Sequence, residues 1–386
     1  MYADKEYILS LRHEIHRHPE IGFDLDRTVA VVTRELDALG IEHTENLCPG
    51  SVVATINPEK KHFTIGIRAD MDALLITEKT NLPFASEEEG KMHACGHDAH
   101  TAMLLGTAKA LQEMKDKIAC RVKLIFQPSE EGLDSGAEAL VNAGVMDDVD
   151  IIIGLHVENW LESGCIGVCP GASMASSRNL RIDFFGRTAH ATLPQTGVDA
   201  LACAVRTYND IQFMLSREID PFAKYVCSIG KLEGGTSQNI IADHAYMLGT
   251  IRTFDEKLDE YIISRIKSIA EAEANSVGAR VKIDTELKAL VVYNDPEISE
   301  LVLRSAAKVV GEEKIVPMRE KMSSEDFSQY LTKKRGVFFR LGTRNAALGC
   351  TTLPHNNDFM IDENALSVGS DTCVQFVIDN MNGISR

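Results

Sequence analysis

Within eight residues, His93-Ala94-Cys95-Gly96-His97-Asp98-Ala99-His100 supplies three imidazoles and a thiol, the donors with which proteins hold transition metals. Cys95 and His97 stand two apart, so an extended segment turns both side chains to one side, where they reach one ion or a close pair. Further donors lie downstream. Gln127-Pro128-Ser129-Glu130-Glu131-Gly132 sets adjacent carboxylates on a turn after an apolar run; one can bind metal while the other takes a proton from water and returns it to a leaving amine. An isolated Glu-Glu pair reads as a solvated turn, and the position beside the Cys–His cluster reverses that reading. His156 closes the apolar run that starts at Ile151, and His355 lies in the loop Leu353-Pro354-His355-Asn356-Asn357-Asp358. Together Cys95, His97, Glu131, His156 and His355 are too many for one tetrahedral structural ion and suit two metals sharing a ligand. The cofactor expectation is two divalent metal ions, with zinc, manganese, cobalt and nickel all compatible with this donor mixture.

Other polar residues could act on a substrate. His190, in Gly186-Arg187-Thr188-Ala189-His190-Ala191, could polarise a carbonyl; Asn239 could donate a hydrogen bond; Arg252 could form a bidentate pair with a carboxylate. The N-terminal Arg12-His13-Glu14-Ile15-His16-Arg17-His18-Pro19 resembles a second histidine cluster, but it is expected to be structural, with His13 and His16 on a helix surface and His18 at its Pro-terminated end. A thiol mechanism, with Cys95 as nucleophile and His97 as its base, would use the same central residues and would survive metal removal.

The elements that position these residues follow from hydrophobic spacing. Helical periodicity runs from Lys5 to His18 and from Asp24 to Leu39, where Gly40 stops it. Short apolar runs at 52–56, 63–69, 122–126 and 151–155 read as strands, with a helix at 99–113. This alternation predicts an α/β layer with a mostly parallel sheet flanked by helices. Asp70, Asp72, Glu130, Glu131 and His156 all fall where strands end, the place where open α/β sheets build their sites. From about Arg178 the pattern becomes β-α-β-β-α-β: strand 180–185, helix 198–215, strands 225–231 and 245–253, helix 258–275 and strand 280–286. The expected division is therefore a metal-binding domain from residues 1–177 and 291–386, interrupted by an inserted, ferredoxin-like α+β domain at 178–290. Helix 296–310, strand 336–341 and helix 363–382 complete the first domain.

Composition narrows the partners. The 386 residues carry a formal charge of -17, from 40 Lys+Arg against 57 Asp+Glu, which repels nucleic acid and anionic lipid and favours a small-molecule substrate. The charged N-terminus lacks a secretory pattern, no apolar run reaches the roughly 18 residues of a membrane span, and nine scattered cysteines suit a reducing compartment. A cytoplasmic protein is expected.

Taken in order, His16-Arg17-His18-Pro19-Glu20, Arg68-Ala69-Asp70-Met71-Asp72-Ala73-Leu74, the 93–100 cluster, Glu130-Glu131-Gly132, Gly154-Leu155-His156, Gly186-Arg187-Thr188-Ala189-His190-Ala191, Ser324-Glu325-Asp326-Phe327 and Pro354-His355-Asn356 resemble the aminoacylase, hippurate hydrolase and auxin-conjugate hydrolase branch of the dinuclear two-domain metallopeptidases. The resemblance runs almost end to end. It implies that Cys95, His97, Glu131, His156 and His355 ligate two divalent ions with Cys95 bridging, that Glu130 is the general base, and that Asp70 and Asp72 support the ligands. It also implies a lid domain through which subunits form a homodimer, with His190 and Asn239 reaching a partner's site. Leu75, where many relatives have proline, and Asp24-Leu25-Asp26 depart from the family pattern outside the proposed ligands.

The activity implied is metal-dependent hydrolysis of N-acyl amino acids to a carboxylic acid and a free amino acid, with Arg252 gripping the α-carboxylate. Alternatives with the same core are an N-acetyl-diaminopimelate deacetylase, a dipeptidase or a carboxypeptidase. From a different class, a non-catalytic metal-dependent binding protein would have no use for Glu130.

Overall fold

The computed structural model describes residues 2–384. The chain divides into two compact units: the first comprises the chain up to Ser173, Val292–Arg319 and the chain from Asp326 onwards; the second comprises Met174–Val291 and Glu320–Glu325. The short segment Glu320–Glu325 groups with the second unit because Ala175 N–H donates to the carbonyls of Lys321 and Ser323, both at 3.1 Å.

The first unit is built on an eight-stranded sheet in the order Glu42–Glu45, Val52–Ile56, Arg121–Gln127, Thr64–Asp70, Ile151–Glu162, Arg335–Arg344, Ile166–Val168, Ile315–Pro317. Its central strands, Arg121–Gln127, Thr64–Asp70, Ile151–Glu162 and Arg335–Arg344, run parallel. Every residue of Thr64–Asp70 and Arg121–Gln127 is buried. Such strands, covered on both faces, read in sequence as continuous apolar runs rather than alternations. Antiparallel pairing enters towards the edges, where Val52–Ile56 meets Arg121–Gln127 and Ile166–Val168 meets Arg335–Arg344. The helix His97–Glu113 packs against Lys5–Arg17 and Leu366–Asn380. Its residues His97 to Ala108 are all buried, so it lies inside the unit rather than on its surface.

The second unit is a four-stranded antiparallel sheet, in the order Arg280–Ala289, Ser177–Phe185, His244–Thr253, Tyr225–Gly234. The helices Ala200–Arg217 and Glu256–Val277 pack against each other and against this sheet. Its own core gathers Leu180, Ile182, Phe184, Ile211, Met247 and Ile266, which satisfies the 3.6 period of the helices and the period of two of the strands.

Short elements were invisible to periodicity. Glu42–Glu45, Ile166–Val168 and Ile315–Pro317 are too brief to show a pattern, and Ile151–Glu162 outruns its apolar stretch by seven residues that include the polar Glu158 and Asn159. Among the described residues no helix is long and apolar enough to cross a membrane.

Candidate metal centre

Two parallel strands, Thr64–Asp70 and Arg121–Gln127, end side by side, with Asp70 in register with Gln127. Beyond those ends the chain turns sharply, and the turns carry the chemistry. Asp72 accepts hydrogen bonds from the backbone N–H of Glu130 and of Glu131, each at 3.0 Å. One carboxylate thus fixes the turn that presents two others. Ser129, just before them, has φ +51°, a left-handed conformation costing a non-glycine residue about 1–3 kcal/mol. Its hydroxyl donates to the Asp134 carbonyl at 2.6 Å, and its own carbonyl accepts from Gly136 N–H at 2.9 Å, which holds the conformation in place.

Cys95 and His97 flank Gly96, whose φ of +85° lets the chain turn from the Cys95 segment into the helix His97–Glu113. Donor atoms of Cys95, His97 and His156 lie within 4.8 Å of one another, as do those of Cys95, Glu131 and His355, and those of His97, Glu130 and Glu131. The structure therefore gathers all five expected ligands, with Glu130, around Cys95 and His97. His355 reaches this cluster from a distant loop because its N–H donates to the Ala94 carbonyl at 2.8 Å; it too has positive φ, +64°. Its Nε2 stands 2.9 Å from Glu131 Oε1.

Tautomers follow from the neighbours. His156 Nδ1 lies 2.5 Å from the carbonyl of Val157, which can only accept, so Nδ1 carries the proton and the bare Nε2 faces Cys95 Sγ at 3.3 Å. His100 is held at both ends: Val157 N–H donates to its Nε2 at 2.9 Å, and its Nδ1–H donates to Asp70 at 2.5 Å. With both nitrogens engaged, His100 orients its surroundings and offers no free donor. His93 is buried beside Ala94 and pushed down to about 3 by that burial, a neutral imidazole outside the donor groups.

The electrostatics suit a dication. Burial opposes a charge on His97, yet Asp70, Asp72 and Glu131 raise its pKa to about 10. Neither ring nitrogen of His97 has an aligned hydrogen bond, although Nδ1 stands 3.3 Å from Asp72. Burial, then the charges of Glu131, Glu130 and Asp70, hold the Cys95 thiol well above its usual range. Burial and the neighbouring His100 and Arg340 keep His156 neutral. Concentrated carboxylates around a thiol and imidazoles with unengaged nitrogens fit divalent ions of borderline softness.

The residues expected to act on a substrate fall in the second unit. His190 and Asn239 come together, since Ala191 N–H donates to the Asn239 carbonyl at 3.0 Å and Ile241 N–H to the Ala189 carbonyl at 2.9 Å. His190 Nδ1 receives the Thr192 N–H at 3.3 Å and lies 2.8 Å from its hydroxyl, leaving Nε2–H as the outward donor. Arg252 does not join them. His244, which pairs with Phe185, and Ile251, which pairs with Arg178, mark opposite ends of this sheet. At about 3.3 Å per strand residue, Arg252 lies roughly 25 Å from the His190 end.

The N-terminal cluster needs correcting. His13 is partly exposed and stacked on Phe84 at 3.7 Å, but His16 is buried, its Nδ1 2.8 Å from Asp98, which also receives Arg12 Nε at 2.9 Å. Burial disfavours a charge on His16, and Asp98 and Glu78 more than offset it. This triad ties the first helix to the start of the helix His97–Glu113. The surface expectation failed because helical spacing shows which residues share a face, not whether a buried carboxylate awaits them.

A buried network behind the turn joins two segments that the resemblance picks out, Arg68–Leu74 and Ser324–Phe327, through bonds that their spacing does not show. Arg68, 2 % exposed, donates to Gln127 at 2.7 Å, to Asp70 at 2.6 Å and to Asp326 at 3.0 Å.

Known proteins share this architecture. Residues 66–379 match the family model described as Peptidase family M20/M25/M40. Thermostable carboxypeptidase 1 of Saccharolobus solfataricus is 36% identical over 95% of this chain and 93% of its own length. N-acetylcysteine deacetylase of Bacillus subtilis is 36% identical over 95% of this chain and 96% of its own length. A solved Bacillus subtilis structure, described as a dinuclear metal-binding peptidase from the M20 family, superposes with a TM-score of 0.86 at 32% identity, covering 98% of this chain and 99% of that one.

Proposed function

The chain belongs to peptidase family M20/M25/M40, and on that premise we propose that it hydrolyses the amide bond of N-acyl amino acids, releasing a carboxylic acid and a free amino acid. It is a metal-dependent hydrolase acting on amides, with two divalent ions as cofactor. The observation that carries the hydrolytic reading is the adjacent pair Glu130 and Glu131 on one turn, and the N-acyl amino acid substrate is supported by relatives such as the N-acetylcysteine deacetylase. Glu131 pairs with His355, while Glu130 Oε2 lies 3.9 Å from His97 Nε2.

In this reading Cys95, His97, Glu131, His156 and His355 would hold the ions, with Cys95 between the two donor groups it shares, and the ions would supply Lewis acidity towards water and the scissile carbonyl. Glu130 accepts the proton of the attacking water and delivers it to the leaving amine, one carboxylate acting in turn as base and acid. Asp72 keeps Glu130 within reach by fixing its backbone, and Asp70 orients His100 and His97. His190 contributes its Nε2–H to the developing oxyanion, Asn239 a further hydrogen bond, and Arg252 grips the α-carboxylate.

The separation of Arg252 from His190 and Asn239 supports a homodimer through the second unit, in which one copy supplies Arg252 and its partner supplies the pair. Nine free cysteines support the cytoplasm as its location. The mixed thiolate, imidazole and carboxylate donors accommodate zinc, manganese, cobalt or nickel.

The test is a panel of N-acetyl, N-benzoyl and longer N-acyl amino acids alongside dipeptides and N-acetyl-diaminopimelate, assayed for amine release with metal, with chelator and after metal restoration. Turnover of N-acyl amino acids that chelation abolishes and metal restores is the expected result. Preference for dipeptides or free-carboxylate peptides would move the assignment towards the carboxypeptidase relative.

A further inference from the structure

We propose that Asp326 is a positioning residue that locks together the two halves of the metal centre, the wall bearing His97 and the turn bearing Glu130 and Glu131. The inference rests on the metal-site reading above and deepens it.

Asp326 is 4 % exposed and four donors from three segments converge on it. Arg68 donates at 3.0 Å and Gln127 Nε2 at 2.9 Å to each oxygen. The Ser135 hydroxyl donates at 2.7 Å and Ala137 N–H at 3.2 Å. These bonds lead in two directions. On one side Arg68 Nη1 donates to Asp70 Oδ2 at 2.6 Å, and the other oxygen of Asp70 takes Nδ1–H of His100, with His97 Nε2 3.8 Å from Asp70. On the other side Ser135 and Ala137 anchor the far end of the loop that begins at Pro128 and presents Glu130 and Glu131.

The packing leaves this carboxylate little freedom. The Arg68 guanidinium stands 5.9 Å from the ring centroids of both Phe327 and Phe338. A Cβ on Gly154 would sit 2.8 Å from Phe327 and 3.0 Å from Phe338, so the residue following Asp326 presses directly on the strand that carries His156. Tyr330 adds a hydrogen bond to Gln127 Oε1 at 2.9 Å. Only a carboxylate can receive four donors at this point, because an amide offers one oxygen and would turn its NH2 against a donor.

Asp326→Asn preserves volume and breaks the lock. The measurement titrates manganese(II) into metal-stripped protein by calorimetry, and follows kcat and KM on the best substrate of the panel with thermal melting in parallel. Asp326→Asn is expected to weaken manganese binding and to lower kcat at saturating manganese, each by about 10–100-fold. Ser135→Ala cuts the arm to the loop that carries Glu130 and Glu131, together with the cap its hydroxyl gives Glu138 N–H at 3.1 Å, so it should lower kcat roughly three- to tenfold and weaken manganese binding less than Asp326→Asn does. Asp326→Glu should not restore either value, since a longer side chain moves the acceptor. A folded Asp326→Asn protein with wild-type manganese affinity and kcat but a lowered melting temperature would reduce Asp326 to a stabilising residue and overturn the proposal, as would wild-type kcat in Ser135→Ala. If the wild type hydrolyses nothing in the panel, the functional reading fails, while the manganese titration still decides the arm through Arg68.

Discussion

Replacing Gly96 with alanine probes how firmly the fold fixes the wall between Cys95 and His97. Two costs are separable. The backbone φ of +85° penalises any residue with a Cβ by about 1–2 kcal/mol. The new Cβ would also stand 2.4 Å from Val157 Cγ2. Reaching ordinary contact needs a shift of about 1 Å, and such overpacking costs a further ~1–3 kcal/mol. The sum is about 2–5 kcal/mol, measurable as a lowered midpoint in urea unfolding of the metal-free protein. The displacement falls between two proposed ligands, and misplacement by about 1 Å costs on the order of 10²-fold in rate, so turnover should fall with stability. A Val157→Ala background removes the opposing methyl. There the cost of Gly96→Ala should drop to about 1–2 kcal/mol, a coupling of about 1–3 kcal/mol between the two sites. A Gly96→Ala protein within about 1 kcal/mol of wild type, or an equal cost in both backgrounds, would refute the reasoning.

Metal binding should release protons. In the metal-free protein burial and the surrounding carboxylates hold the Cys95 thiol protonated, His97 stays charged up to about pH 10, and the bond to Glu131 raises His355 above its ordinary value; each must lose its proton to ligate. Calorimetry at pH 7 in buffers of different ionisation enthalpy should report about two to three protons per centre, with apparent affinity rising as pH rises; pH-independent affinity would contradict it. His190→Ala should lower kcat about 10²- to 10³-fold, as loss of an oxyanion donor does, while manganese stoichiometry stays unchanged; loss of manganese along with activity would assign His190 a different role.

Much of the site was legible because its ligands sit at strand ends, where apolar runs stop at polar residues. Cys95 and His97 announce themselves by spacing, and Glu131 and His156 by their place after apolar strands, whereas His355, in a loop remote from any strand end, joins them only through the resemblance. Three features were not legible. His16 reads as a surface residue because its partner Asp98 lies far away in sequence, beyond any local pattern. The resemblance picks out Ser324-Glu325-Asp326-Phe327, but the donors that Asp326 gathers from three separate segments are revealed by no spacing. The distance between Arg252 and the His190–Asn239 pair depends on the register of the second unit's sheet, and register is set by packing between strands rather than within them.

The central claim is that Glu130 moves the proton in a centre built by its neighbours. Glu130→Gln keeps the size and the backbone bond to Asp72 while removing the base. Measured on one preparation, manganese stoichiometry by calorimetry and turnover of the best N-acyl amino acid should separate: two ions bound as in wild type, with kcat lower by a factor of about 10²–10⁴. Hydrolysis near the wild-type rate with both ions bound would contradict the account.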